Sequence, residues 1–269
     1  MPAVLEANHV TIAYEKRAER SRLLALQDLT LSVTAGEFLA IVGPSGCGKT
    51  TFLNAIAGLV QPTAGTLTMD GRPIVGPGPD RAMVFQEYAL MPWLATWDNV
   101  AFGLELRGQL RGEDGRRRVA QFIELVGLRG FERSFPHELS GGMRQRVGLA
   151  RALVMDPRIL LMDEPFAAVD AMTREIMQTE FERILSEAGR TVLLVTHSID
   201  EAIAFADRIV VISSRPGRVQ EIVPVDLPRP RWQYDVKAHP RFGGLREQVW
   251  RALQSDAAGG PGDRREAAP

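Results

Sequence analysis

Residues 4–14 and 26–33 partly alternate apolar with polar side chains. Successive side chains of a strand leave opposite faces of a sheet, so this alternation predicts two half-buried strands. The charged octet EKRAERSR between them reads as an exposed hairpin loop, which makes the pair an antiparallel N-terminal sheet. The pattern then changes to unbroken apolar runs: FLAIV at 38–42, ILLM at 159–162, TVLLV at 191–195 and IVVI at 209–212. Runs of this kind, most of them separated by helix-length segments, suit parallel strands covered on both faces. Between Gln86 and Asp156 the strand signals fade. There Phe122, Leu125 and Val126, then Val147, Ala150 and Val154, recur at helical spacing.

The pattern predicts an α/β fold with a mostly parallel sheet, an N-terminal antiparallel β-subdomain and a helical subdomain inserted over about residues 87–156. One domain is expected over 4–228, closed by an edge hairpin in RVQEIVPVDLP. An extension over 229–254 follows, with a Pro-interrupted extended stretch and a short helix over 242–253. From Ser255 to residue 269 the Gly-, Pro-, Ala- and charge-rich tail is expected to be disordered. No internal repeat and no long heptad array is visible.

Composition narrows the function classes. At 269 residues and 45% hydrophobic content the chain can bury a large core. A formal net charge of -1 gives no global field for nucleic acid or acidic lipid, so no nucleic-acid partner is expected. The one cysteine excludes an intramolecular disulfide framework and suits a reducing compartment. No apolar run of about 18 residues is present and residues 1–9 lack a secretory pattern, so the chain is not expected to span a membrane.

Candidate chemistry begins after the FLAIV strand. Gly43, Pro44, Ser45, Gly46, Cys47, Gly48, Lys49, Thr50 and Thr51 precede the helix-forming FLNAIAGL, which is the strand, glycine loop and helix order of a phosphate-binding P-loop. Glycines let backbone N–H groups converge on phosphates and the helix N-terminus adds positive potential. Lys49 reaches the β and γ oxygens, and Thr50 can hold Mg²⁺. Cys47 in that loop reads either as a small filler or as a thiol whose alkylation blocks nucleotide entry. The ILLM run ends in Asp163 and Glu164, two carboxylates at the C-terminal mouth of a buried strand. Asp163 suits a Mg²⁺ shell and Glu164 suits polarisation of an attacking water.

These features alone also fit small GTPases, nucleotide kinases and helicases. Leu139, Ser140, Gly141, Gly142 and Met143 discriminate, because with them the chain resembles the ATP-binding-cassette (ABC) ATPase family. In that family the signature begins a helix and meets the γ-phosphate held by the opposite subunit. The resemblance implies further roles. Gln86 would touch Mg²⁺ or water and sense a membrane subunit, and His197 would contact the γ-phosphate and support the attacking water. Asp170 would couple the two sites of a dimer, although Ala167, Ala168 and Val169 before it depart from the usual pattern. Tyr14 sits where the family stacks an aromatic ring on adenine, or else it is a buried strand tyrosine. No guanine-reading Asn-Lys-x-Asp is present.

The resemblance covers about residues 4–225 and implies an ATP-hydrolysing translocase subunit using ATP and Mg²⁺, with each site shared between two copies. Its partners would be transmembrane permease subunits and, indirectly, an extracytoplasmic substrate-binding protein. The chain would sit peripherally on the cytoplasmic face of the inner membrane. Residues 86–100 and the LPRPR stretch resemble the importer branch for nitrate, sulfonate and taurine. The aromatics and Met of 86–100 serve either permease docking or core packing. A soluble clamp acting on DNA or ribosomes is the reading from another class; the lack of a long coiled-coil insertion and of a basic tract stands against it.

Overall fold

The computed structural model describes residues 3–16, 21–167 and 171–258. The chain begins with β1 (Ala3–Lys16) and β2 (Ser21–Thr34), paired antiparallel through Lys16 and Ser21. Both strands therefore run into the segment expected to be loop, and Glu15 pairs with Arg22 inside it. β4 (Ala64–Met69) and β5 (Arg72–Pro73) complete a four-stranded sheet in the order β2-β1-β4-β5. These two strands left little periodic signal, because β5 is two exposed residues and β4 buries only Leu67 and Met69.

The second sheet is built from β3 (Phe38–Val42), β6 (Arg81–Val84), β7 (Ile159–Asp163), β8 (Thr191–Val195), β9 (Arg208–Ile212) and β10 (Val219–Pro224). Its order is β10-β9-β3-β8-β7-β6, parallel throughout except for the antiparallel edge strand β10. The apolar runs obey the strand period. Leu39, Ile41, Ile159, Leu161, Leu193 and Val195 face one core, shared with the antiparallel sheet and with α1 (Lys49–Ala57). Their alternates Phe38, Ala40, Val42, Leu160, Met162, Val192 and Leu194 face a second core. Covering both faces is what permits the continuous apolar runs.

The second core joins the sheet to α2 (Thr96–Leu106), α3 (Glu113–Leu125) and α4 (Gly141–Leu153), the helical lobe. It also contains side chains of α5 (Ala171–Ala188), α6 (Ile199–Phe205) and α7 (Phe242–Ala258). α7 runs past Ser255, where disorder was expected. Gln220 of β10 explains part of the difference, its Nε2 donating to Ala252 O at 2.8 Å and to Ser255 Oγ at 2.6 Å. Val249 and Ala252 are buried beneath that clamp. Residues 259–269 of the expected tail lie outside the described residues. The stretch expected to be extended also carries a 3-10 turn, Arg231–Gln233, with Arg231 buried.

The consequence for function is geometric. β3, β8 and β7 are neighbours and parallel, so the loops after Val42, Asp163 and Val195 all emerge at the same sheet edge.

Candidate functional site

The loop after β3 is shaped by its glycines. Gly48, at φ +104, could not carry a side chain, since a Cβ would lie 2.7 Å from Leu26 Cδ2 and 2.9 Å from Ala25 O. Gly43 is pressed against Ile212, where a Cβ would meet the carbonyl oxygen at 2.7 Å. Pro44, Ser45 and Gly46 are exposed, while Cys47 is 1% exposed, which favours the filler reading over a reactive thiol. α1 starts at Lys49 with no side-chain cap and no acidic residue in its first turn, so its N-terminal N–H groups are available to an anion. Lys49 is buried and its Nζ donates to Gly43 O at 2.8 Å and Pro44 O at 3.0 Å. That ammonium closes the loop on itself beside the helix N-terminus.

Thr50 Oγ1 donates to Asp163 Oδ1 at 3.2 Å, joining the start of α1 to the end of β7. Burial pushes the Asp163 carboxyl above its usual range, with the Glu164 charge adding to the effect and the Thr50 hydroxyl and Lys49 opposing it. Two hard oxygen donors, one on a carboxylate whose charge burial disfavours, fit a small divalent cation. Among the described residues no group of three or more His, Cys, Asp or Glu side chains assembles, so such an ion would rely on Thr50, Asp163 and ligand oxygens, the coordination Mg²⁺ tolerates well.

Glu164 stands at φ +45, a left-handed conformation that costs a non-glycine residue about 1–3 kcal/mol. Its N–H donates to Val195 O at 2.9 Å, tying this strained residue to the end of β8. There His197 Nδ1 meets Glu164 Oε2 at 3.1 Å. A carboxylate and an imidazole in contact, next to the glycine loop, can orient a water and accept its proton. Tyr14 is 38% exposed rather than sealed in the sheet, and its hydroxyl lies 3.4 Å from Thr51 Oγ1. It shares with Lys49, Thr50, Thr51 and Glu164 a cleft of about 260 Å³. Arg215 borders the same cleft and was missed in the sequence. Its Nε and Nη2 donate to Gly46 O at 3.0 and 2.7 Å, and no motif or period marks an arginine that reaches back from the β9–β10 connection.

The other expected residues lie elsewhere. Ser140 caps α4 by accepting from Met143 N at 3.3 Å, with Gly141, Gly142 and Met143 half-buried behind it, and none of these lines the cleft. Gln86 is exposed two residues beyond β6 and is also outside the lining. The two regions are linked to each other: the Arg144 guanidinium lies 5.2 Å from the Tyr88 ring centroid, and Arg151 Nη1 donates to Ala89 O at 2.7 Å. Asp170 lies outside the described residues.

Comparison with known proteins gives this arrangement a family. The family model described as ABC transporter matches residues 26–167. An uncharacterized ABC transporter ATP-binding protein of Methanocaldococcus jannaschii is 51% identical over 232 residues, 86% of this chain and 85% of that protein. The taurine import ATP-binding protein of Burkholderia thailandensis is 47% identical over 246 residues, 89% of this chain and 93% of its own length. Among solved structures, a dimeric ATP-binding cassette in a post-hydrolysis state with ADP and phosphate superposes with a TM-score of 0.70 at 33% identity, covering 83% of this chain and 100% of that one. The chain belongs to the ABC transporter family and is one of its ATP-binding, ATP-hydrolysing subunits.

Proposed function

We propose that this chain energises an importer for a small anion of the nitrate, sulfonate or taurine type. Two copies would work beneath separate transmembrane permease subunits, on the cytoplasmic face of the inner membrane, with an extracytoplasmic binding protein delivering the substrate. The importer reading is supported by the likeness to a taurine import subunit, which spans 89% of the chain. Among the described residues no helix is long and apolar enough to cross a membrane, which accords with a separate permease.

The hydrolytic reading is carried by one observation, the 3.1 Å contact of His197 with Glu164 beside the glycine loop. In that reading Lys49 exchanges the carbonyls of Gly43 and Pro44 for phosphate oxygens, and the N–H groups at the start of α1 receive the rest of the charge. Tyr14 offers its ring to the adenine. Thr50 and Asp163, with Gln86, would hold Mg²⁺, which when bound would supply positive charge against the phosphates. Glu164 orients the water that attacks the γ-phosphorus as the bond to the ADP oxygen breaks, and His197 steadies the carboxylate and the phosphate. Ser140 to Met143 of a second copy complete the site, and Asp170 couples the two sites.

Glu164→Gln tests the reading. The variant keeps a hydrogen bond to His197 and loses the base, so ATP binding is expected to persist while turnover falls by about 10²–10⁴-fold. Near-normal hydrolysis would remove Glu164 from its role. Uptake of radiolabelled taurine, sulfonate or nitrate by vesicles holding the chain with its permease and binding protein tests the transported class.

A further inference from the structure

His197 stands on the three-residue turn, residues 196–198, between β8 and α6. Its ring is mostly exposed, with a side chain 58% accessible, and its placement against Glu164 depends on how firmly that turn is held. The turn is closed by a ring of bonds that the proposed chemistry does not use. Thr196 Oγ1 donates to Glu201 Oε2 at 2.5 Å, and the same hydroxyl oxygen accepts from Ser198 N at 3.0 Å. Ser198 Oγ accepts from Glu201 N at 3.3 Å, so the residues on both sides of His197 are bonded to Glu201. Thr196 N also donates to Ile41 O, fixing the near side of the turn to β3. Thr196 is 1% exposed and Glu201 5%.

A buried carboxylate is a costly way to fill this space. Its neighbours on α6, Ala202, Ile203 and Phe205, are apolar and fully packed, and a leucine would suit such a core better than an acid. We propose that Glu201 is a positioning residue for His197, holding Thr196 and thereby the turn that presents the imidazole to Glu164. The proposal rests on reading Glu164 and His197 as the hydrolytic pair, and it follows the general logic in which a reactive pair is oriented by a third group. Burial raises the Glu201 carboxyl to about 7, with Thr196 and Arg174 opposing the rise and Glu164 adding to it, as suits a group retained for geometry at an electrostatic cost.

The test uses the full-length chain with Glu201→Ala, Glu201→Gln, Thr196→Val and Thr196→Ser. Steady-state ATP hydrolysis is measured together with the His197 imidazole proton resonance, which is assignable because the chain has four histidines. Glu201→Ala and Thr196→Val should shift or broaden that resonance and lower kcat by about ten-fold or more, with KM for ATP within about two-fold. Glu201→Gln keeps an acceptor and Thr196→Ser keeps the hydroxyl, so both should restore the resonance and the rate. A folded Glu201→Ala variant with a wild-type resonance would overturn the proposal, as would kcat and KM changing together while the resonance stays still. If Glu201→Ala does not fold, Thr196→Val decides by the same two readouts. Glu164→Gln, measured alongside, separates the two claims: wild-type hydrolysis there sinks the hydrolytic pair, whereas the His197 resonance in the Glu201 and Thr196 variants judges the positioning alone.

Discussion

Buried carboxyls make parts of this molecule sensitive to pH. Glu201 has a folded pKa of about 7 against an ordinary value of 4.5, because burial disfavours its charge. The folded state therefore holds its proton where the unfolded chain has released it, and stability falls as pH rises from about 4.5 to about 7. Glu201→Gln removes that proton equilibrium. The Tm of the wild type minus that of the variant should accordingly decrease across this window in thermal melts at a series of pH values, and a flat difference would contradict the raised pKa. Single residues also show what a linear pattern conveys. Lys49, Thr50, Asp163 and Glu164 were legible because each belongs to a short string whose spacing is itself the chemistry. Arg215 and Glu201 were not, since each acts through a partner that the chain brings near only on folding, Gly46 for one and Thr196 for the other.

At the level of elements, the apolar runs revealed β3, β7, β8 and β9 because both sheet faces are covered and every position carries the same instruction. The weak elements were those held by polar side chains. α7 extends beyond its sequence pattern because Gln220, from a different strand, secures its last turns. The Arg231 turn was hidden by Pro228 and Pro230 just before it, which promise only extended chain. Arg231 is 2% exposed, and its guanidinium donates to Ile203 O at 3.1 Å, Ala206 O at 2.6 Å and Val225 O at 3.2 Å, capping the end of α6 and bracing the chain after β10. Nearby, Trp232 N donates to the buried Glu182 carboxylate at 2.7 Å. Burial lowers the Arg231 pKa to about 10, so it remains charged at neutral pH. Arg231→Ala strands those carbonyls and should cost roughly 3–5 kcal/mol in urea denaturation. Arg231→Lys, which cannot span them all, should recover only part of that loss.

Across the whole molecule, one chain carries the cleft beside the glycine loop and, away from it, a capped glycine-led helix that does not line that cleft. If Ser140 serves the nucleotide held by a second copy, ATP becomes the adhesive between the two. Glu164→Gln with ATP and Mg²⁺ should then elute in light-scattering chromatography at twice the 29.6 kDa of one chain. Wild type should return to that single mass as it hydrolyses, and Gly142→Asp, which sets a charge against the phosphate, should stay monomeric throughout. A persistent 29.6 kDa species in the Glu164→Gln sample would speak against a shared site. The lone cysteine sealed beneath the glycine loop suits a different use. A thiol-reactive dye would find almost nothing to attach to on the native protein. A cysteine placed at an exposed position such as Leu106, on the helical lobe, would make each copy carry one dye at one known point. Energy transfer between two such dyes could then follow closing and reopening in real time, with no native residue removed to make the background silent.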